Sequence, residues 1–148
     1  MTSRELLEFM RRYRVAVQAS VSADGAAQAA VVGIAITDRF EIVFDTLSSS
    51  RKAQNLRRNS KIALVIGGLS DGEERTVQYE GVAEEPSGDE LERLKRIYYE
   101  VYPDGPGRLL WPGLIYVRVR PTWIRYSDFT ARPPLIVEFT PSQLVLEA

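Results

Sequence analysis

Six short runs rich in β-branched and aromatic residues divide this chain: Val15–Val21, Gln28–Ile36, Phe40–Thr46, Lys61–Gly67, Arg75–Ala83 and Leu114–Tyr126. Such residues pack well on a pleated, half-buried surface. Compact turn signals join several of the runs. Ser22-Ala23-Asp24-Gly25 offers an Asp-Gly pair suited to positive φ, and Thr37-Asp38-Arg39 follows the second run. Runs joined this tightly form antiparallel neighbours, because a parallel pair needs a long crossover. Three helices fit before and between them. Thr2 and Glu5 have the spacing of a capping box, ahead of an apolar stripe predicting a helix over 3–12. The serines at 48–50 predict a helix over 50–59. Ser87-Gly88-Asp89-Glu90 predicts a second capping box and a helix to about Val101. The expected fold is therefore mainly β: an antiparallel barrel of about six strands with short helices as decoration, closure removing the exposed edges. Pro121 predicts an edge or bulge in the last long run, and Gly33 a bulge or a close approach by a ligand.

At 148 residues the chain is expected to form one domain, 1–148, with no motif in its tail (128–148) beyond a short strand at Leu135–Phe139. It contains no cysteine and no histidine. Disulfides, a Cys/His zinc site, a thiolate nucleophile and a Ser-His-Asp triad are all excluded. The acidic trio Asp71, Glu73 and Glu74 reads as a solvated loop, so no metal is expected. Histidine is also the usual acid–base group near neutral pH, so any redox or group-transfer chemistry would rest on an organic cofactor. The net charge of −1 and pI of about 5.6 argue against a nucleic-acid partner. No apolar run reaches membrane-spanning length, and the charged first thirteen residues are no signal peptide, so a cytoplasmic protein without membrane partners is expected.

The segment Phe44 to Leu56 carries the clearest chemistry. A strand end passes through Ser48-Ser49-Ser50 into a helix that opens with Arg51 and Lys52. Helix N-termini carry a positive partial charge and unpaired N–H groups, so two cations there cost roughly 0.3–1 kcal/mol each. A bound anion reverses that sign. Ser50, Arg51, Lys52 and the spare amides would then form a phosphate cradle. The same residues also read as a solvated basic face, since Arg57, Arg58 and Lys61 follow closely.

The order of hairpin strands, FDTLSSSRKAQNLRRNSKIALVI and then RTVQYEGVA resembles the pyridoxamine 5'-phosphate oxidase-like, FMN-binding split-barrel family over roughly residues 4–126. The run from Thr46 to Asn59 carries most of the likeness, supported by Tyr79 to Ala83 and by Thr122 to Asp128. The resemblance implies a homodimer with FMN at the subunit interface. It implies that Arg51 and Lys52 hold the FMN phosphate and that Asp45 and Thr46 lie beside the ribityl chain. It places the backbone of Val31, Val32 and Gly33 against the flavin ring. It brings Thr76 and Gln78 to the flavin from the neighbouring subunit, with Trp111 as a wall across the interface. Asp45 is awkward beside a phosphate and would instead accept hydrogen bonds or pair with Arg51. The implied activity is flavin-dependent oxidoreduction of an unidentified small molecule, with no catalytic side chain assigned. True pyridoxine phosphate oxidation is not expected: the second run lacks basic residues and the tail lacks the family's arginine–histidine motif. Two alternatives stand beside this reading. One is a deazaflavin-dependent reductase on the same fold, and the other a non-catalytic protein binding a flavin or a haem-type ligand.

Overall fold

A computed structural model describes residues 1–146. Helix α1 (Ser3–Met10) starts where expected: the Thr2 hydroxyl accepts from the Glu5 amide at 3.1 Å, and the Thr2 amide donates to the Glu5 carboxylate at 2.7 Å. Its apolar face, Leu6, Leu7, Phe9 and Met10, is buried. The strands are β1 (Val15–Val21), β2 (Ala27–Gly33), β3 (Ala35–Ile36), β4 (Ile42–Leu47), β5 (Lys61–Ile66), β6 (Arg75–Glu84), β7 (Leu114–Asp128) and β8 (Leu135–Phe139). Helix α2 (Arg51–Arg58) follows β4, and α3 (Gly88–Val101) follows β6. Every pairing is antiparallel, in the order β2-β1-β5-β6-β7-β4-β3. The long β7 carries β6 along one side and β4 then β8 along the other.

The sheet curls so that its two edge strands, β2 and β3, are consecutive in the chain and meet at a corner. There the Ile34 amide donates to the Arg14 carbonyl at 2.9 Å. This is the split barrel. The described residues contain eight strands where about six were expected, because the second run breaks at this corner and the tail adds β8. The inward face buries Phe44, Tyr79, Leu64, Ile66 and Ile124 with α1 beneath them. A second cluster lies outside, where Leu94 and Tyr98 of α3 cover Ala35, Val43 and Tyr116.

Two local expectations are corrected. Strand β4 starts at Ile42, because Phe40 occupies a turn at φ 61. The buried Tyr79 hydroxyl holds that turn by donating to the Phe40 carbonyl at 2.7 Å. Ser87 is the N-cap residue of α3 but makes no capping hydrogen bond. The Glu90 carboxylate that would complete the box is taken by Arg93 and Arg118. Arg118 of β7 is buried among Glu41, Glu84 and Glu90. The Pro121 irregularity is a bulge: Gly81 pairs with Pro121 and Glu80 with Trp123, leaving Thr122 unmatched. Its hydroxyl donates to the Glu80 carbonyl at 3.1 Å.

Candidate functional site

Strand β4 delivers the chain to the corner where α2 begins. Ser50 is the N-cap residue, its hydroxyl accepting from the Ala53 amide and lying 3.2 Å from the Thr46 hydroxyl. Arg51 and Lys52 occupy the first turn, which contains no acidic residue. Neither forms an ion pair among the described residues, whereas Arg57, further along the helix, pairs with Glu85 at 2.7 Å. Lys52 is half-buried, and that burial lowers the pKa of its ammonium. The first turn is therefore left with two uncompensated cations at the positive end of the helix.

Both cations line a small cavity of about 160 Å³ with Gln18, Ser20, Gln28, Ala29 and Ala30. Alternation along β1 turns Ala16, Gln18 and Ser20 inward, a polar break in an otherwise apolar face. Asn55 of α2 bridges two of these groups, donating to the Ser20 hydroxyl at 3.1 Å and the Gln28 side-chain oxygen at 2.9 Å. Gln18 is only 1% exposed, and its side-chain oxygen has no hydrogen-bond partner among the described residues. Sequence reasoning passed over Gln18, Ser20 and Gln28. The available signal was the phase of the polar residues within two apolar runs, but phase alone does not say that α2 packs over them.

The remaining predicted residues divide into separate groups. Thr46 and Ser50 lie at the corner with Arg51 and Lys52. Asp45, one residue away, points to the opposite face, as strand alternation requires. It does not pair with Arg51: its carboxylate accepts from Arg108 at 2.8 Å and from the Tyr98 hydroxyl at 3.2 Å. Within β2, Val31 is exposed and Val32 buried. Gly33 lies against Tyr102, where a Cβ would stand 2.6 Å from the tyrosine oxygen. Thr76 and Gln78 are on the outer face of β6, and Gln78 is exposed beside Val65. That outer face continues through Val65, Ala63, Val17, Ala19, Ala29 and Val31 by direct cross-strand pairing, and it is apolar and uncovered. Trp111, about half exposed, follows the 3-10 turn Gly105–Leu110. Arg108 ties that turn to β4, and the Ser48 amide donates to Gly113 at 2.7 Å, so the Trp111 segment is anchored beside the serine corner. A larger cleft of about 690 Å³, rimmed by Arg11, Arg14, Arg39 and Arg93, contains none of the predicted residues.

No group of acidic side chains among the described residues is arranged to hold a metal ion, and no described helix is long and apolar enough to cross a membrane.

The sequence profile of the family described as pyridoxamine 5'-phosphate oxidase matches residues 2–128. Similar solved structures include a heme binding protein from Mycobacterium smegmatis, at 16% identity and TM-score 0.82, covering 97% of this chain and 60% of that one. The chain thus spans 60% of the length of that relative. A conserved hypothetical protein from Mycobacterium tuberculosis is 27% identical at TM-score 0.71, covering 86% of this chain and 85% of its own. The heme storage protein HutZ from Vibrio cholerae is 17% identical at TM-score 0.69, covering 82% and 91%. No curated protein matches the sequence.

Proposed function

This chain belongs to the pyridoxamine 5'-phosphate oxidase family, and from that premise we propose that it binds FMN non-covalently, as a homodimer, and serves as a flavin-dependent oxidoreductase for a small molecule. The observation that carries this reading is the unpaired Arg51–Lys52 pair at the start of α2, beside a cavity walled by polar side chains. The donor set fits a phosphate monoester. A guanidinium offers two parallel donors, an ammonium a third, and the helix amides add more. When bound, the flavin would supply hydride or electron transfer. The chain's own residues would do the holding and the shaping. Arg51 and Lys52 take the anionic end. Thr46 and Ser50 form the polar corner between strand and helix. Val31, Val32 and Gly33 offer a flat, weakly polar edge for the ring. The apolar outer face fits burial against a second copy, which would bring its Thr76 and Gln78 to the ring, with Trp111 as a wall.

The test is titration of purified protein with FMN, followed by absorbance and fluorescence. Arg51→Ala with Lys52→Ala should weaken FMN binding at least about a hundredfold, since each charge-assisted hydrogen bond contributes about 1.5–3 kcal/mol. The dimer should remain on a sizing column. Undiminished binding by the double variant would defeat the proposal. Deazaflavin titrated in parallel distinguishes a reductase using that longer cofactor.

The names of two structural relatives favour a second reading, a non-catalytic haem-type binder. This chain has no histidine for the iron, so tyrosine or methionine would have to serve. Haem titration with a sharp Soret shift at one equivalent would support it.

A further inference from the structure

Among the uncharged polar side chains that line the cavity, Gln18 is the one whose buried oxygen has no hydrogen-bond partner among the described residues. Ser20 and Gln28 both bond to Asn55, and Asn55 is itself engaged by Arg58 at 3.0 Å. The neighbouring polar residues are thus built into a network that braces α2 against β1 and β2. Gln18 stands outside that network. It pairs across the sheet with Ala30 and Leu64, which offer no side-chain partner, and its oxygen is sealed from water. A buried amide left unmatched is unfavourable, and native cores rarely keep one without a use. The terminal torsion of glutamine is broad, so the amide can turn toward the cavity without moving the backbone.

We propose that Gln18 is the specificity-determining residue of this site, its free amide reserved for a hydroxyl next to the ligand's anionic group, so that the cavity selects phosphate esters of hydroxylated chains over anions without hydroxyls. The inference rests on the anion reading of Arg51 and Lys52 and adds the chemistry of the adjoining atoms. Cations alone accept any anion, including the carboxylates of a haem. An amide carries both donor and acceptor and no charge, which suits an O–H group and offers nothing further to an ionised carboxylate beyond a donor already abundant there. In FMN the hydroxylated chain is the ribityl.

The experiment compares two ligands on the intact protein: FMN, and an analogue whose ring carries a plain five-carbon alkyl phosphate. The natural protein should bind FMN at least about tenfold more tightly, a difference of about 1.4 kcal/mol. Gln18→Met should lose that preference, binding FMN about tenfold more weakly and the analogue unchanged. It should also melt at a higher temperature without ligand, because an unmatched amide has been removed from the interior. A merely structural role predicts the opposite shift in melting. Gln18→Glu, nearly the same shape, is the second variant: its FMN affinity should fall and should recover as the pH is lowered and the carboxyl takes a proton. Equal FMN affinity in Gln18→Met and the natural protein overturns the inference while leaving the Arg51–Lys52 site standing. Equal weakening of both ligands overturns it as well. Failure of the natural protein to bind FMN removes the parent reading and the inference together.

Discussion

Lys52 has no carboxylate beside it, so burial alone acts on its ammonium and lowers its pKa. A bound phosphate favours the charged form, and binding therefore raises that pKa. The affinity for FMN should consequently fall as pH rises through the free protein's Lys52 pKa, well above the range where the phosphate itself titrates. Isothermal or fluorescence titration across pH 7 to 11 measures this, and Lys52→Arg should flatten the profile, since arginine stays charged throughout. Glu90 shows the converse behaviour. Hydrogen bonds from Arg93 and then Arg118 hold its pKa at about 2, below the usual 4.5. A depressed carboxyl contributes stability that is complete above its unfolded pKa and is lost as pH falls toward its folded one. Urea unfolding should therefore show stability declining between about pH 4.5 and 2, with a shallower decline in Arg93→Met. The Arg93 partner is local, three residues along the same helix, whereas the Arg118 one is not written in local sequence: Arg118 lies 28 residues from Glu90.

Hydrophobic runs and turn chemistry act over a few residues, and so β1, β5, β6, β8, α1 and α2 lie close to where their residues predict them. Failures occurred where a distant group intervened. Tyr79 reaches 39 positions to hold Phe40, which delays β4. Arg118 draws Glu90 away from the cap of α3. The β6–β7 bulge depends on a glycine as well as on Pro121. A Cβ at Gly81 would meet the Arg120 carbonyl oxygen at 2.4 Å and a Val119 methyl at 2.6 Å. Because one obstacle is backbone, relaxation is expensive, and Gly81→Ala should lower the unfolding free energy by about 1–3 kcal/mol. Denaturant midpoints at constant slope provide the measurement.

Across the whole molecule, the outer face of β2, β1, β5 and β6 leaves Val31, Val65 and their alanine neighbours uncovered. Contiguous apolar surface of this kind marks an association site. If the proposed homodimer forms through this face, Val65→Arg should yield a monomer in sedimentation and should weaken FMN binding although Arg51 and Lys52 are untouched, because the second copy's Thr76 and Gln78 would then be absent. A monomer that binds FMN at full strength would limit the site to a single chain.

From the sequence alone came the antiparallel strands, the helix capped by Ser50, the pair of cations in its first turn and the absence of any cysteine or histidine. Those properties follow from residue identity and short-range periodicity. Tertiary structure alone decided that Asp45 belongs to Arg108, that Arg118 is buried, and that Gln18 stands unmatched beside Arg51 and Lys52. Each depends on segments brought together by the curl of the sheet. Periodicity tells which way a side chain points within its own strand, whereas the identity of its neighbours is set by which strands and helices meet there.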